Sequence, residues 1–147
     1  MIVEDEKAML DLGARLAQLA RPGDVIALKG GLGAGKTTLA RGLLAALGLE
    51  EEAPSPSFAI VQPYDPPAVR FPVAHVDLYR LEDAAEAEEL ALDELLLDSL
   101  LLIEWPERLG ASLWPHSLIL EIEMLEDGKR RLTAVVPAAW KNRWPLT

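Results

Sequence analysis

The glycine-rich stretch GGLGAGKTT at residues 30–38 constrains this chain more than any other feature. Its core follows the pattern G-x-x-x-x-G-K-T, in which glycines let the backbone adopt unusual conformations and approach a phosphate closely. Successive backbone N–H groups then point into one concavity, the lysine reaches the β- and γ-phosphates, and the threonine hydroxyl becomes a ligand for Mg²⁺. The pattern predicts a phosphate-binding P-loop formed by Gly33, Ala34, Gly35, Lys36, Thr37 and Thr38.

The segments on either side of this loop have the order that a P-loop requires. Residues 24–29 (DVIALK) form a short apolar run rich in β-formers, which is typical of a buried parallel strand. Residues 38–47 (TLARGLLAAL) place leucines on one side of a helix, and Gly48 stands at its expected end. The helix adds its positive dipole end to the same site. These features predict that the chain binds a nucleoside triphosphate with Mg²⁺.

Length and composition exclude several classes of protein. A chain of 147 residues that is 50% hydrophobic is long enough for one domain with a real core and is too apolar for disorder. It contains no apolar run of membrane-spanning length, no signal segment and no cysteine, which fits the cytosol. Its net charge of −10 repels nucleic acid. We therefore expect a single cytoplasmic domain over residues 1–147 that contacts no membrane and reaches RNA only through a small basic patch or a partner.

The remaining periodicity predicts a helix before the P-loop and five further strands. The helix is predicted at residues 5–20, a hairpin at 58–64 and 69–79, a buried strand at 99–105, and a second hairpin at 118–125 and 130–136. Pro106 suits the first turn of a short helix. The predicted fold class is α/β, namely a three-layer P-loop NTPase-like domain. Its mixed sheet has a parallel core with antiparallel edge strands and is flanked by helices.

Two carboxylates end predicted strands: Asp77 closes FPVAHVD and Glu104 closes SLLLIE. Ligands of such sheets lie beyond the carboxyl ends of the strands. A P-loop enzyme needs one acid to hold Mg²⁺ or its water shell and a group to orient the attacking water or hydroxyl. Either acid fits either role, and each could equally be a cap or an ordinary loop contact. His75 is interpreted as a packed, hydrogen-bonded residue and Trp105 as a core residue rather than a platform for a base.

Residues 81–97 carry a run of acids with no basic residue among them. The run allows two interpretations: a solvated helical face, or a docking surface for a basic partner. The acids are Glu82, Asp83, Glu86, Glu88, Glu89, Asp93 and Glu94. In the C-terminal tail, Trp140 and Trp144 either pack the segment down or leave it loose.

The segments GGLGAGKTT, SPSFAIVQPY, HVDLYRL and IEWPERL, in this order and spacing, resemble the TsaE family of bacterial P-loop ATPases, formerly named YjeE. The resemblance covers residues 12–109 approximately. It implies a role in making the threonylcarbamoyladenosine that lies beside the anticodon of many tRNAs. The partners implied are the TsaB and TsaD proteins, with TsaD performing the transfer. ATP hydrolysis would then reset the TsaB–TsaD complex between turnovers.

The resemblance also assigns roles to residues at matching positions. Loop residues 33–38 match the family's phosphate cradle, and Lys36, Asp77 and Glu104 match its catalytic lysine and acidic pair. Thr37 and Glu104 match the Mg²⁺ ligands, Glu104 directly or through water. The resemblance further implies a switch-like loop at residues 55–58 near the γ-phosphate.

This chain departs from the family pattern at two positions. Gly31 stands where the family usually has an acid, which leaves the role of that acid open, and Ser57 replaces a threonine with its hydroxyl kept. The family places the base between the start of the first helix and the late hairpin. This location corresponds to residues 5–7 and 129–131.

Three other function classes are compatible with a P-loop. A small-molecule kinase would carry an arginine-rich lid, whereas the segment after Asp77 is acidic. A GTPase would carry an N-K-x-D motif, and the sole asparagine, Asn142, is followed by Arg143. A nucleotide-dependent binding module with incidental hydrolysis remains open. With no arginine finger evident near the loop, we expect the protein alone to hydrolyse ATP only slowly. We also expect no tRNA binding by the isolated chain, and docking on TsaB–TsaD through residues 55–58 and the DLYR segment.

Overall fold

A computed structural model of the chain describes residues 1–50, 60–82 and 84–144, and within them the strands form one mixed sheet. The strands are β1 Ile2–Val3, β2 Val25–Lys29, β3 Val61–Tyr64, β4 Val73–Asp77, β5 Leu100–Glu104, β6 Leu118–Met124 and β7 Arg130–Val135. Their order across the sheet is β1-β7-β6-β2-β5-β4-β3. The central strands β6, β2, β5 and β4 are parallel, and both outer hairpins are antiparallel. The predicted fold class is confirmed.

The strand boundaries differ most from the prediction at β4, which was expected over residues 69–79. Its pairing begins at Val73 because Pro72 has no N–H to contribute to a ladder. It ends at Asp77, and the N–H of Leu78 donates to the carbonyl of Glu104 at the end of β5. Strand β1 was not predicted, since two residues are too few to show periodicity.

The helices are α1 Glu6–Leu19, α2 Lys36–Ala46, α3 Ala84–Glu88 and α4 Leu92–Leu96. The Asp5 side chain caps α1 by accepting from the N–H of Ala8 at 2.8 Å. The acidic stretch is not one continuous helix, because Ala91 lies between α3 and α4 in the left-handed region, with φ of 53°. The predicted short helix after β5 is a 3-10 helix, Pro106–Ser112. No helix in the described ranges is long and apolar enough to cross a bilayer.

Helices α1 and α2 pack with their backbones almost in contact. A Cβ atom on Gly42 would lie 2.2 Å from the carbonyl oxygen of Leu10, and one on Gly13 would lie 2.2 Å from that of Leu39. Only glycine allows this approach from both sides. The helix that starts at the P-loop is therefore held firmly against α1.

The hydrophobic core has one cluster on each face of the sheet. Along β5, Leu100 and Leu102 join the cluster under α1 and α2, while Leu101 and Ile103 join the opposite one. This alternation is expected for a strand that is buried on both faces.

Residues 138–144 of the C-terminal tail pack against the domain rather than remaining loose. Trp140 is fully buried in the cluster under α1 and α2, and Trp144 is half-buried against it. Arg143 forms an ion pair with Asp24 at 2.7 Å and lies 3.9 Å from the centre of the Trp140 ring. This anchor lies at the amino end of β2, whereas the P-loop follows its carboxyl end.

Candidate functional site

The loop between β2 and α2 has the geometry of an anion cradle. Gly35 is the residue before α2 and lies in the left-handed region, with φ of 115°. No side chain caps this helix, so its first N–H groups have no capping partner. An uncapped helix start behind a glycine turn is a site for phosphate.

Lys36 stands at the mouth of the loop. Its ammonium nitrogen donates to the carbonyl of Gly30 at 2.6 Å and lies 3.7 Å from the centre of the Trp105 ring. Burial lowers the pKa of Lys36 below its ordinary value, while the carboxylates of Glu104, Asp77 and Glu107 act in the opposite direction. A bound phosphate would add a counterion to this partly desolvated ammonium group.

The two predicted acids lie side by side at one end of the sheet. Strands β4 and β5 pair in parallel with Asp77 opposite Glu104, and both residues are buried. The hydroxyl of Thr37 lies 3.3 Å from each carboxylate oxygen of Glu104. One oxygen of Asp77 accepts from the N–H of Tyr79 at 2.9 Å. The loop threonine thus meets Glu104, and Asp77 lies beside this contact.

His75 holds the carboxylate of Glu104 from inside the sheet. The histidine is fully buried, and its Nε2 lies 2.7 Å from an oxygen of Glu104. Two lone pairs cannot share so short a distance, so the Nε2–H donates and the carboxylate accepts. The other ring nitrogen, Nδ1, forms no hydrogen bond with a described residue. The prediction of a packed, hydrogen-bonded histidine is confirmed.

Trp105 forms a wall of the site, so the prediction of a simple core residue is incomplete. It is half-buried, and its backbone is left-handed with φ of 61°, which is uncommon for a bulky residue. Its ring packs on Tyr79, with centroids 5.0 Å apart, and covers the ammonium of Lys36. This turn directly after Glu104 is what brings the ring over the loop.

A cavity of about 490 Å³ unites these elements, a size typical of small-molecule sites. Its wall includes the whole predicted cradle, both acids, Trp105 and Tyr79. It also includes Asp5 and Glu6 at the start of α1, together with Gly128 and Arg130 at the late hairpin. These are the two segments that the family resemblance associates with the base.

Sequence reasoning missed Arg130 as a neighbour of the P-loop. Arg130 and Arg80 both line the cavity, and the expectation that no arginine finger serves the γ-phosphate stays a prediction. Arg130 donates from Nε to the carbonyl of Ala34 at 2.8 Å. Since 96 positions separate the two residues, no local pattern signals this contact.

Within the described part of the chain, no three His, Cys, Asp or Glu side chains are grouped as a metal site.

The predicted loop at residues 55–58, including Ser57, lies outside the described residues, as do Asp83 and the start of the first predicted hairpin.

Comparisons with known proteins agree with one another. The family model described as "Threonylcarbamoyl adenosine biosynthesis protein TsaE" matches residues 3–132. A similar protein from Streptomyces coelicolor, named tRNA threonylcarbamoyladenosine biosynthesis protein TsaE, is 44% identical over 92% of this chain and 93% of its own length. The Bacillus subtilis protein of the same name is 37% identical, covering 88% of this chain and 78% of the relative.

The structural comparison extends the match to the fold. The crystal structure of Bacillus subtilis YdiB superposes with a TM-score of 0.79 at 28% identity, covering 97% of this chain and 88% of that protein. The family match includes the P-loop, both acids and the first residues of β7. On these grounds the chain belongs to the TsaE family.

Proposed function

We propose that this protein binds ATP with Mg²⁺ and hydrolyses it as part of threonylcarbamoyladenosine synthesis on tRNA. The observation that carries the proposal is the contact between the Thr37 hydroxyl and Glu104, 3.3 Å apart beside the cradle. The loop supplies backbone donors for the phosphates, and Lys36 supplies the positive charge. The start of α1 and the late hairpin would enclose the base.

The residues present fit a magnesium ion held mainly by the nucleotide. Mg²⁺ is commonly bound through one or two carboxylates, several waters and substrate phosphates rather than by an all-protein cage. Thr37 would be a direct ligand, and Glu104 would hold the ion directly or through water. When bound, the ion neutralises negative charge that develops on the phosphates.

The two acids would divide the work of hydrolysis. Glu104, fixed by His75 and facing Thr37, belongs to the metal side of the site. Asp77, one oxygen of which accepts from the N–H of Tyr79, would orient the attacking water. Lys36 holds the phosphate in place while the bond breaks. Turnover by the protein alone should be slow, because the proposed mechanism includes no arginine that contacts the γ-phosphate.

The names of the relatives place them in tRNA threonylcarbamoyladenosine biosynthesis, and we extend this role to the present chain. Its partners would be TsaB and TsaD, and hydrolysis would reset their complex between turnovers. Direct contact with tRNA is not required. Three of the basic residues near the C-terminus form ion pairs: Lys129 pairs with Glu4, Arg131 with Glu123 and Arg143 with Asp24.

The test measures ATP binding by calorimetry with and without Mg²⁺, followed by ATP turnover with and without purified TsaB–TsaD. We expect Mg²⁺-dependent binding, a weak basal turnover and a marked change in rate with the partners. A fast rate that ignores the partners would contradict the proposed role and favour an autonomous enzyme. Turnover that stays negligible in every mixture would favour a nucleotide-dependent binding module.

A gel-shift titration at about 150 mM salt tests the indirect role of tRNA, since such binding depends on counterion release by basic groups. We expect no shift of tRNA by the isolated protein at a net charge of −10. A tight complex without partners would contradict this, and the residues from Lys129 to Arg131 would then be mutated first. Phosphate transfer from ATP to a small molecule in a metabolite mixture would instead favour a kinase.

A further inference from the structure

The side chain of Arg130 joins the P-loop to the late hairpin. Its Nε donates to the carbonyl of Ala34 at 2.8 Å, and one terminal nitrogen donates to that of Gly33 at 3.3 Å. The other terminal nitrogen donates to the carbonyl of Gly128 in the hairpin turn. One planar guanidinium thus spans three carbonyls, two of them in the cradle.

The contacts of Arg130 with the loop carbonyls also orient the N–H groups of the same peptides. In a trans peptide the C=O and the N–H point in opposite directions across a rigid plane. A donor fixed on the Ala34 carbonyl therefore turns the N–H of Gly35 away from Arg130. The preceding peptide is fixed at both ends, because the N–H of Ala34 donates to the Gly31 carbonyl at 3.2 Å.

We propose that Arg130 is a positioning residue that preorganises the P-loop by holding its carbonyls from the side of the late hairpin, so that the Gly35 N–H faces the phosphate. This inference rests on the proposed function, since it assumes that the loop binds phosphates. The loop needs such support because Gly35 allows many backbone conformations and no side chain caps the following helix. If the peptide is already fixed in the ligand-free protein, less conformational entropy is lost when the phosphate binds.

The position of Arg130 in the sheet suits this role. It is the first residue of β7 and pairs with Met124 of β6 and Val3 of β1. Its backbone is therefore held by a strand on each side, and its half-buried side chain extends from this fixed backbone to the loop. The neighbouring Arg131 faces the other side of the sheet, is largely exposed and pairs with Glu123 at 3.6 Å.

The experiment compares Arg130→Met with Arg131→Met, which removes the same charge one residue away. Calorimetry measures the affinity for ADP and for ATP with Mg²⁺, and amide NMR spectra of the ligand-free proteins follow the Gly35 signal. We expect Arg130→Met to weaken ADP and ATP by about the same factor, about tenfold, the usual scale for a hydrogen bond to a charged group. We expect Arg131→Met to bind both within about twofold of the wild type, as for an exposed ion pair.

The spectra separate positioning from direct contact. Displacement of the Gly35 amide signal in ligand-free Arg130→Met, with its neighbours in the core unchanged, supports the inference. Equal affinities in the two variants would overturn it. A loss confined to ATP with an unmoved Gly35 signal would also overturn it, in favour of direct contact with the γ-phosphate.

Two further controls keep the outcome decisive. If Arg130→Met does not fold, Arg130→Lys takes its place, because lysine keeps the charge but loses the planar fork that spans the three carbonyls. The same displacement of Gly35 and a smaller loss of affinity are expected, and wild-type behaviour in both measurements would overturn the inference. Failure of the wild-type protein to bind ADP or ATP would instead contradict the proposed function.

Discussion

The two halves of the site are built in different ways. The P-loop half consists of consecutive residues from the end of β2 into the first turn of α2, and we propose that it acts mainly through backbone N–H groups. The acid half consists of Asp77 and Glu104, which the parallel pairing of β4 and β5 brings together. The loop half offers backbone N–H groups and the charge of Lys36, whereas the acid half offers carboxylates fixed by hydrogen bonds. We infer that the first half governs binding and the second governs hydrolysis.

The largest effect should come from Glu104→Gln in the acid half. Turnover should fall by about a hundredfold or more, the scale of a lost acid–base or metal-positioning group, while ATP affinity changes by less than about threefold. Glu107→Gln is the control, because Glu107 is an exposed acid nearby that also acts on Lys36. Single-turnover kinetics and calorimetry measure the two quantities. Near-normal turnover in Glu104→Gln would mean that Asp77 is the essential acid.

The next effect should come from Lys36→Ala in the loop half. ATP affinity should weaken by about 10- to 100-fold, because the phosphates lose a charged donor worth about 1.5–3 kcal/mol. Lys29→Ala, which removes a lysine at the end of β2, should change affinity by less than about twofold. Calorimetry with Mg²⁺-ATP measures the affinity of both variants. Unchanged affinity in Lys36→Ala would show that binding is not governed by the loop half.

A smaller effect should separate His75→Leu from His75→Gln. Leucine removes the donor that holds Glu104, so turnover should fall by about tenfold while the KM for ATP stays nearly constant. Glutamine keeps an N–H group on a side chain of similar reach and should restore most of the rate. Steady-state kinetics test the pair. Equal rates in the two variants would show that His75 serves packing alone.

The smallest effect on the site should follow from Arg143→Met at the far end of the sheet. Breaking the buried pair with Asp24 leaves a carboxylate without its partner, which should lower the free energy of unfolding by about 3 kcal/mol. ATP affinity of the folded protein should stay within about twofold. Urea unfolding and calorimetry measure the two quantities. If Arg143→Met instead weakened ATP binding as much as Lys36→Ala, the affinity changes would reflect global stability rather than contacts in the site.

The sequence by itself determined the loop half of the site. The spacing of Gly30, Gly35, Lys36 and Thr37 is local, and so are the apolar strand before it and the helix after it. The same local periodicity predicted the mixed sheet, both hairpins and the placement of Asp77 and Glu104 at strand ends. Each of these features depends on residues close together in the chain, where backbone geometry alone sets which side chains are neighbours.

Tertiary structure decided which distant groups complete the site. The contact of His75 with Glu104 depends on β4 lying beside β5, and that of Arg130 with Ala34 depends on β6 lying beside β2. The turn that places Trp105 over Lys36 is likewise set by packing, since a left-handed tryptophan is unfavourable in isolation. Periodicity identifies the elements, but strand order and helix packing, such as the close approach at Gly42, decide which distant residues meet.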